Sequence, residues 1–121
     1  MREDAHVKLL IAVIQPTKLN SVKEALEKIG VTRMTVCDAQ GYGRQRGQTQ
    51  MYRGNEYASH LLRKVAIEIM LNDDFVERTI ETISNVARTG PDGTIGDGKI
   101  FIIPALETVQ ISEPVRGPGA V

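Results

Sequence analysis

At 121 residues, with 41% hydrophobic and 25% charged side chains, the chain fits one globular domain and carries no signature of disorder. Lysine plus arginine equals aspartate plus glutamate at 15 each, and this zero formal charge argues against nucleic acid as the main partner, a local basic patch aside. A single cysteine, Cys37, excludes an intrachain disulfide and a cysteine metal cluster.

Three tyrosines, two phenylalanines and no tryptophan leave an aliphatic core of Ile, Val, Leu and Ala. A domain this small buries a limited share of its surface, so association with further copies would help it. Arg2, Glu3, Asp4 and Lys8 interrupt any apolar signal core, and Leu9 to Ile14 is too short to span a bilayer, so a cytoplasmic location is expected.

Lys8 to Gln15 is a continuous apolar run stopped by Pro16, the pattern of a strand buried on both faces. From Lys18 to Ile29 the residues Leu19, Val22, Ala25, Leu26 and Ile29 fall on one helix face, with Thr17 or Asn20 as cap and Gly30 as stop. Arg33 to Gln40 reads as a half-buried strand through Met34, Val36 and Ala39. Gly41 to Leu62 has four glycines and three arginines, shows neither periodicity, and reads as a long functional loop. Lys64 to Leu71 alternates Val65, Ile67, Ile69 and Leu71 as a strand. Asn72, Asp73 and Asp74 supply a cap and an acidic first turn for a helix to about Arg88, buried through Val76, Ile80, Ile83 and Ala87. A glycine-rich loop, Thr89 to Gly98, leads into a strand at Lys99 to Pro104, with a further short strand at Thr108 to Ile111. The order is β-α-β, long loop, β-α-β. It predicts an α+β, ferredoxin-like split βαβ (βαββαβ) fold: a four-stranded antiparallel sheet with two helices on one face. Ala12 and Ile14, or their alternates on the first strand, then need cover on the other face, and self-association is the simplest source of it.

Two stretches carry chemistry. Gly41-Tyr-Gly-Arg-Gln-Arg-Gly47 reads either as a hairpin tip or as an anion site. In the second case the glycines let backbone N–H groups approach phosphate, Arg44 adds charge-assisted bonds, and the Gln45 carbonyl suits Mg²⁺. Gly96-Asp-Gly-Lys99 reads either as a turn or as a backbone nest closed by Lys99. No Ser or Thr follows that lysine, so it is not a Walker A loop.

The stretch GYGRQRGQTQMYRGNEY resembles the T-loop signature of the PII family, and IGDGKIF, Ile95 to Phe101, resembles its B-loop and following strand. VIQPTKLNSVKEALEKIGVTRMTV resembles the family's first helix and second strand, and the likeness covers roughly residues 7 to 103. It implies a single PII-like domain over 1–121, with a T-loop at about 43–61, a B-loop at about 89–98 and a flexible tail at 113–121. It implies a homotrimer with ATP or ADP in the cleft between subunits and 2-oxoglutarate bound through Mg²⁺ and ATP. Carried over position by position, Gln45 would ligate Mg²⁺. Lys64 would pair with a 2-oxoglutarate carboxylate, beside backbone at Arg44, Gln45, Arg46 and Gly47. Gly43, Arg44, Gln45, Gly96, Asp97, Gly98 and Lys99 would hold the nucleotide, with Thr35, Glu68 and Met70 near its base. Tyr57 matches a tyrosine that some members have uridylylated.

Three departures stand out. The family's Thr-Gly-Lys is here Thr89-Gly90 followed by Pro91-Asp-Gly-Thr94, a longer loop. Gln110 and Ser112 replace a phosphate-contacting Arg-x-Arg pair, leaving Arg116 and Thr94 as candidate substitutes. Asn55 stands where the tyrosine-modified members have Ala. Cys37 reads as a small buried hydrophobe, His6 and His60 as solvated side chains, and Asp73 and Asp74 as helix-terminus charges.

The leading function is a sensor of adenine nucleotides and 2-oxoglutarate. It regulates nitrogen-metabolism partners, an ammonium channel or assimilation enzymes, through the T-loop. An alternative is a divergent PII-like sensor of ADP, AMP or another small anion in a different pathway, such as inorganic-carbon uptake. A third reading, an acylphosphatase-like enzyme, has only Arg44 and Asn55 to offer, and no nucleophile has an adjacent base.

Overall fold

The apolar run near the N-terminus becomes the hub of the sheet. In the computed structural model, which describes residues 6–43, 50–52, 55–57 and 60–121, β1 spans Val7–Ile14 and pairs antiparallel on both sides. Pro16 ends it and opens a 3-10 turn, Pro16–Lys18, which leads into α1, Leu19–Lys28. There follow β2 (Thr35–Gly43), a short hairpin of β3 (Gln50–Tyr52) and β4 (Asn55–Tyr57), and β5 (His60–Asn72). A second 3-10 turn, Asp73–Phe75, precedes α2 (Val76–Ala87), and β6 (Gly98–Ala105) completes the sheet. The strand order is β2-β5-β1-β6, and the two helices pack on each other. This is the expected βαββαβ arrangement with one hairpin added.

Register decides what each strand buries. Leu10, Ala12 and Ile14 of β1 alternate with Leu9, Ile11 and Val13. The first set joins Val65, Ile67, Ile69 and Leu71 of β5 beneath Val22 and Leu26 of α1 and Val76, Ile83 and Ala87 of α2, forming one buried core. The second set lies on the opposite face and is half-buried. There Ile11 pairs with Phe101 and Leu9 with Ile103, both exposed on β6. Ile80 is half-buried and packs against this core, and beside it Thr79 is fully buried, its hydroxyl donating to the Phe75 carbonyl at 2.7 Å.

Several local expectations are corrected. No side chain caps α1, α2 or the 3-10 turn that follows Asn72. Each helix instead begins through a 3-10 turn, whose i→i+3 bonds occupy N–H groups that a cap would otherwise take. Asp73 ties the turn to the sheet: its N–H donates to the His6 carbonyl at 2.8 Å and its carboxylate accepts from Lys8. His6 Nδ1 lies 3.6 Å from the same carboxylate while its ring is exposed, as expected of a solvated side chain. The Lys8 hydrogen bond, against some desolvation, holds the Asp73 carboxyl below its usual range. Its contribution is thus present above the ordinary carboxylate pKa and is lost as acidification protonates the group.

The loop read from Gly41 to Leu62 is shorter than expected. β2 and β5 extend to the pair Gly43–His60, and β3 and β4 pair inside it. Glycine and polar residues tolerate extended backbone without alternating apolar side chains, so periodicity is silent there. Cys37 is exposed, because β2 is an outer strand and Cys37 shares the face opposite the helices with Ala66 and Val13. The strand expected at Thr108 to Ile111 is a single bridge, Val109 to Arg116. The tail, expected to be flexible, makes contacts: Ala120 is buried, and its carbonyl accepts from Gln110 Nε2 at 3.4 Å.

Leu26→Ala and Ile83→Ala, each emptying a fully buried position, are expected to cost about 2–5 kcal/mol apiece. Urea unfolding followed by circular dichroism checks this through the transition midpoint.

Candidate functional site

The loop between α2 and β6 is built on glycines with left-handed backbone: Gly90 (φ 69°), Gly93 (φ 78°), Gly96 (φ 103°) and Gly98 (φ 127°). Gly98 is the tightest. A Cβ there would lie 1.9 Å from the Val13 carbonyl oxygen, so this backbone sits directly on β1. Asp97 turns its carboxylate back into the loop. It accepts from the Thr89 N–H (2.9 Å), the Thr89 hydroxyl (2.6 Å), the Thr94 N–H (2.8 Å) and Gln15 Nε2 (3.4 Å). Partial burial pushes the carboxyl pKa up. The Thr89 and Thr94 donors and the nearby Lys18 charge outweigh it and hold the group below the usual range. Lys64 is buried, and its ammonium donates to the Gly96 carbonyl at 2.6 Å. Gly41 makes room for it: a Cβ at Gly41 would meet Lys64 Cγ at 3.1 Å.

Sequence reasoning found Asp97 and Lys64 but missed their partners Thr89 and Gln15, and the role of Gly41. The adjoining Thr89-Gly90 pair, a hydroxyl beside a flexible hinge, was the available signal.

The expected binding residues divide into two groups. Gly43 lies at the end of β2, four positions beyond Ala39, the register partner of Lys64, and Gly96, Asp97, Gly98 and Lys99 stand toward the same end of the sheet. Thr35 pairs with Glu68, and Met70 follows two positions on. Lys64 and Met70 are six residues apart along β5, about 20 Å at the strand rise. By register, Thr35, Lys64, Glu68, Met70 and Lys99 all lie on the sheet face opposite the helices. Arg44, Gln45, Arg46 and Gly47 lie outside the described residues. Tyr57 is in β4, opposite Gln50. Among the described residues no cluster of His, Cys, Asp or Glu has the makings of a metal site.

On the helix face the loop also borders a groove of about 710 Å³, floored by Ile14, Ile80, Ile83 and Ile100 with Arg88 at its edge. Arg116 is not a free donor: Glu107 binds it in a bidentate ion pair that raises its pKa further. The Thr94 N–H is likewise taken by Asp97. The Gln110 amide reaches the tail.

The model of the nitrogen regulatory protein P-II family matches residues 7–114. The chain belongs to that family. It is 47% identical over 115 residues to the nitrogen regulatory protein P-II of Azospirillum brasilense, covering 95% of this chain and 100% of that protein. It is 45% identical to the nitrogen regulatory protein GlnK1 of Methanosarcina mazei, covering 95% and 97%. Among solved structures it resembles the B. subtilis GlnK–ATP complex, with TM-score 0.77, 29% identity and coverage of 98% and 100%. It also resembles Arabidopsis thaliana PII bound to citrate, with TM-score 0.76, 32% identity and coverage of 97% and 91%. As a P-II protein the chain is a signal transducer and not an enzyme. These relatives, named for nitrogen regulation, do not favour a divergent sensor in another pathway. No helix among the described residues is long and apolar enough to cross a membrane.

In this P-II chain Gly98→Ala is expected to be severe. It combines left-handed strain of roughly 1–2 kcal/mol with the clash on Val13. Gly90→Ala meets open space and costs only the strain. A thermal melt of the pair checks this: Gly98→Ala falls well below Gly90→Ala.

Proposed function

We propose that this P-II protein binds ATP or ADP in a cleft between subunits of a homotrimer, senses 2-oxoglutarate at Lys64, and signals to cytoplasmic partners through residues 43–61. The supporting observation is a phosphate-fitting nest on a sheet face that also carries the other residues proposed for the site. Lys99 is in register with Ala66 through Val13, two positions from Glu68 and its partner Thr35. That same face carries exposed Phe101 and Ile103, which a neighbouring subunit would cover.

The nest fits phosphate. Gly96 and Gly98 leave backbone N–H groups approachable, and Lys99 contributes a point charge with no carboxylate partner among the described residues. The solved GlnK relative in complex with ATP supports a nucleotide ligand. Citrate on the PII relative supports a carboxylate site. Lys64 would hold one carboxylate of 2-oxoglutarate, and Gln45 would hold Mg²⁺, which would supply positive charge to the oxygens of its anionic ligands. Nitrogen-assimilation enzymes or an ammonium channel are the partners by family, reached because each ligand set favours one loop geometry. Tyr57 is proposed as a modification site.

Calorimetry on material whose mass in solution is that of three chains tests this. Wild type is expected to bind ATP with Mg²⁺ and then 2-oxoglutarate. Gln45→Ala is expected to lose 2-oxoglutarate while keeping ADP. Wild type that binds no adenine nucleotide overturns the reading.

The missing arginines set a second expectation. A charge-assisted hydrogen bond contributes about 1.5–3 kcal/mol, so losing two costs the outer phosphates most. Arg116 does not compensate, since Glu107 holds it. ATP is therefore expected to be favoured over ADP less strongly here than in the double variant Gln110→Arg, Ser112→Arg. Titration of both nucleotides against both proteins measures the change in preference.

A further inference from the structure

The extra residues Pro91 to Thr94 do not hang free. Thr89, before them, donates its N–H and its hydroxyl to Asp97, and Thr94, at their end, donates its N–H to the same carboxylate. Asp97 also donates its own N–H to the Thr94 carbonyl at 3.1 Å. The loop is thus closed into a ring around one side chain. Gly93, inside the ring, has its Cβ position 3.3 Å from Asp97 Oδ2, so the packing admits no larger residue without a shift. Three further contacts fix the ring to the sheet: Gln15 Nε2 on Asp97, Lys64 on the Gly96 carbonyl, and the Gly98 backbone on Val13.

Asp97 stands between the two glycines of the nest. A carboxylate directed at phosphate would oppose it by like-charge repulsion. Its oxygens face three close donors of the loop instead. We infer that Asp97 is a positioning residue and not a ligand: with Thr89 and the Thr94 N–H it braces the lengthened loop so that the Gly96–Lys99 backbone is preorganised for a nucleotide phosphate. This deepens the nucleotide reading above and rests on it. Four left-handed glycines in nine residues would make a wide ensemble without such a brace. Ordering them before the ligand arrives removes a cost from binding. The brace offsets part of what the chain lacks at Gln110 and Ser112. It also predicts no discrimination among phosphate chain lengths, unlike the arginines.

Thr89→Val removes the 2.6 Å hydroxyl contact at nearly constant volume, and Thr89→Ser keeps it. Three measurements on the intact protein decide the matter: amide hydrogen exchange without ligand over residues 89–98, the melting temperature, and calorimetric affinities for ATP and ADP. The expected result for Thr89→Val is faster exchange over 89–98 with affinity for both nucleotides reduced on the order of tenfold. The melting temperature should stay near wild type, and Thr89→Ser should behave as wild type. Wild-type affinities in Thr89→Val, with or without faster exchange, overturn the brace while leaving nucleotide binding intact. So does a loss confined to Asp97→Asn, which would make Asp97 a direct ligand. Wild type that binds neither ATP nor ADP overturns the nucleotide reading itself.

Discussion

A strand that is apolar on both faces governs this molecule. β1 sends Leu10, Ala12 and Ile14 one way and Leu9, Ile11 and Val13 the other. Two helices satisfy the first set. Nothing within the described chain satisfies the second as fully, and Phe101 and Ile103 extend the uncovered area across β6. The residues proposed for binding, Thr35, Lys64, Glu68, Met70 and Lys99, lie on that same face by register. A shift of one residue in β1 would turn Leu9, Ile11 and Val13 to the helix side and Leu10, Ala12 and Ile14 away from it.

The loop after α2 shows how a flexible sequence becomes a fixed surface. Glycines supply the backbone shapes, and on their own they would supply disorder as well. Asp97 within the loop, Lys64 of β5 and the close-lying Val13 carbonyl of β1 convert those shapes into a single arrangement. The charge of Asp97 is absorbed by donors of its own loop. Its residue type therefore says little about the charge the surface presents.

Most of the fold was legible in the residues, and most of the site's internal wiring was not. Continuous apolar runs and strict alternation placed β1 and the core of β5, since burial there acts on every residue or every second one. Val22, Leu26, Ile83 and Ala87 were legible from helical spacing. Helix starts were misread because Asn20 and Asn72 look like caps, while the backbone solved the same problem with 3-10 turns. The outer part of β2 is Gly41-Tyr-Gly43 and that of β5 begins His60-Leu-Leu-Arg63, neither alternating apolar with polar, so no hydrophobic pattern marked them. Cys37 was misread for a related reason: its residue type suggests burial, but an outer strand leaves one face open. At the site, glycine spacing announced the nest and Lys99. The hold of Asp97 on Thr89 spans eight residues and the hold of Lys64 on Gly96 spans thirty-two. Neither separation carries a periodic signal, so only the folded geometry reveals them.

The place of β1 in the chain has a bearing on how the protein is made. It precedes the other described strands and is the one most enclosed, yet its partners β5 and β6 begin at His60 and Gly98. As the polypeptide grows, an eight-residue apolar segment waits without a neighbour until residues far downstream emerge. Closing such distant pairs requires large loops to be ordered first, which slows folding. The N-terminal half can form α1 early but has no sheet to lay it on. Productive folding is therefore held back until the C-terminal half is available. During that interval the β1 segment is the stretch most exposed to mispairing with another nascent chain.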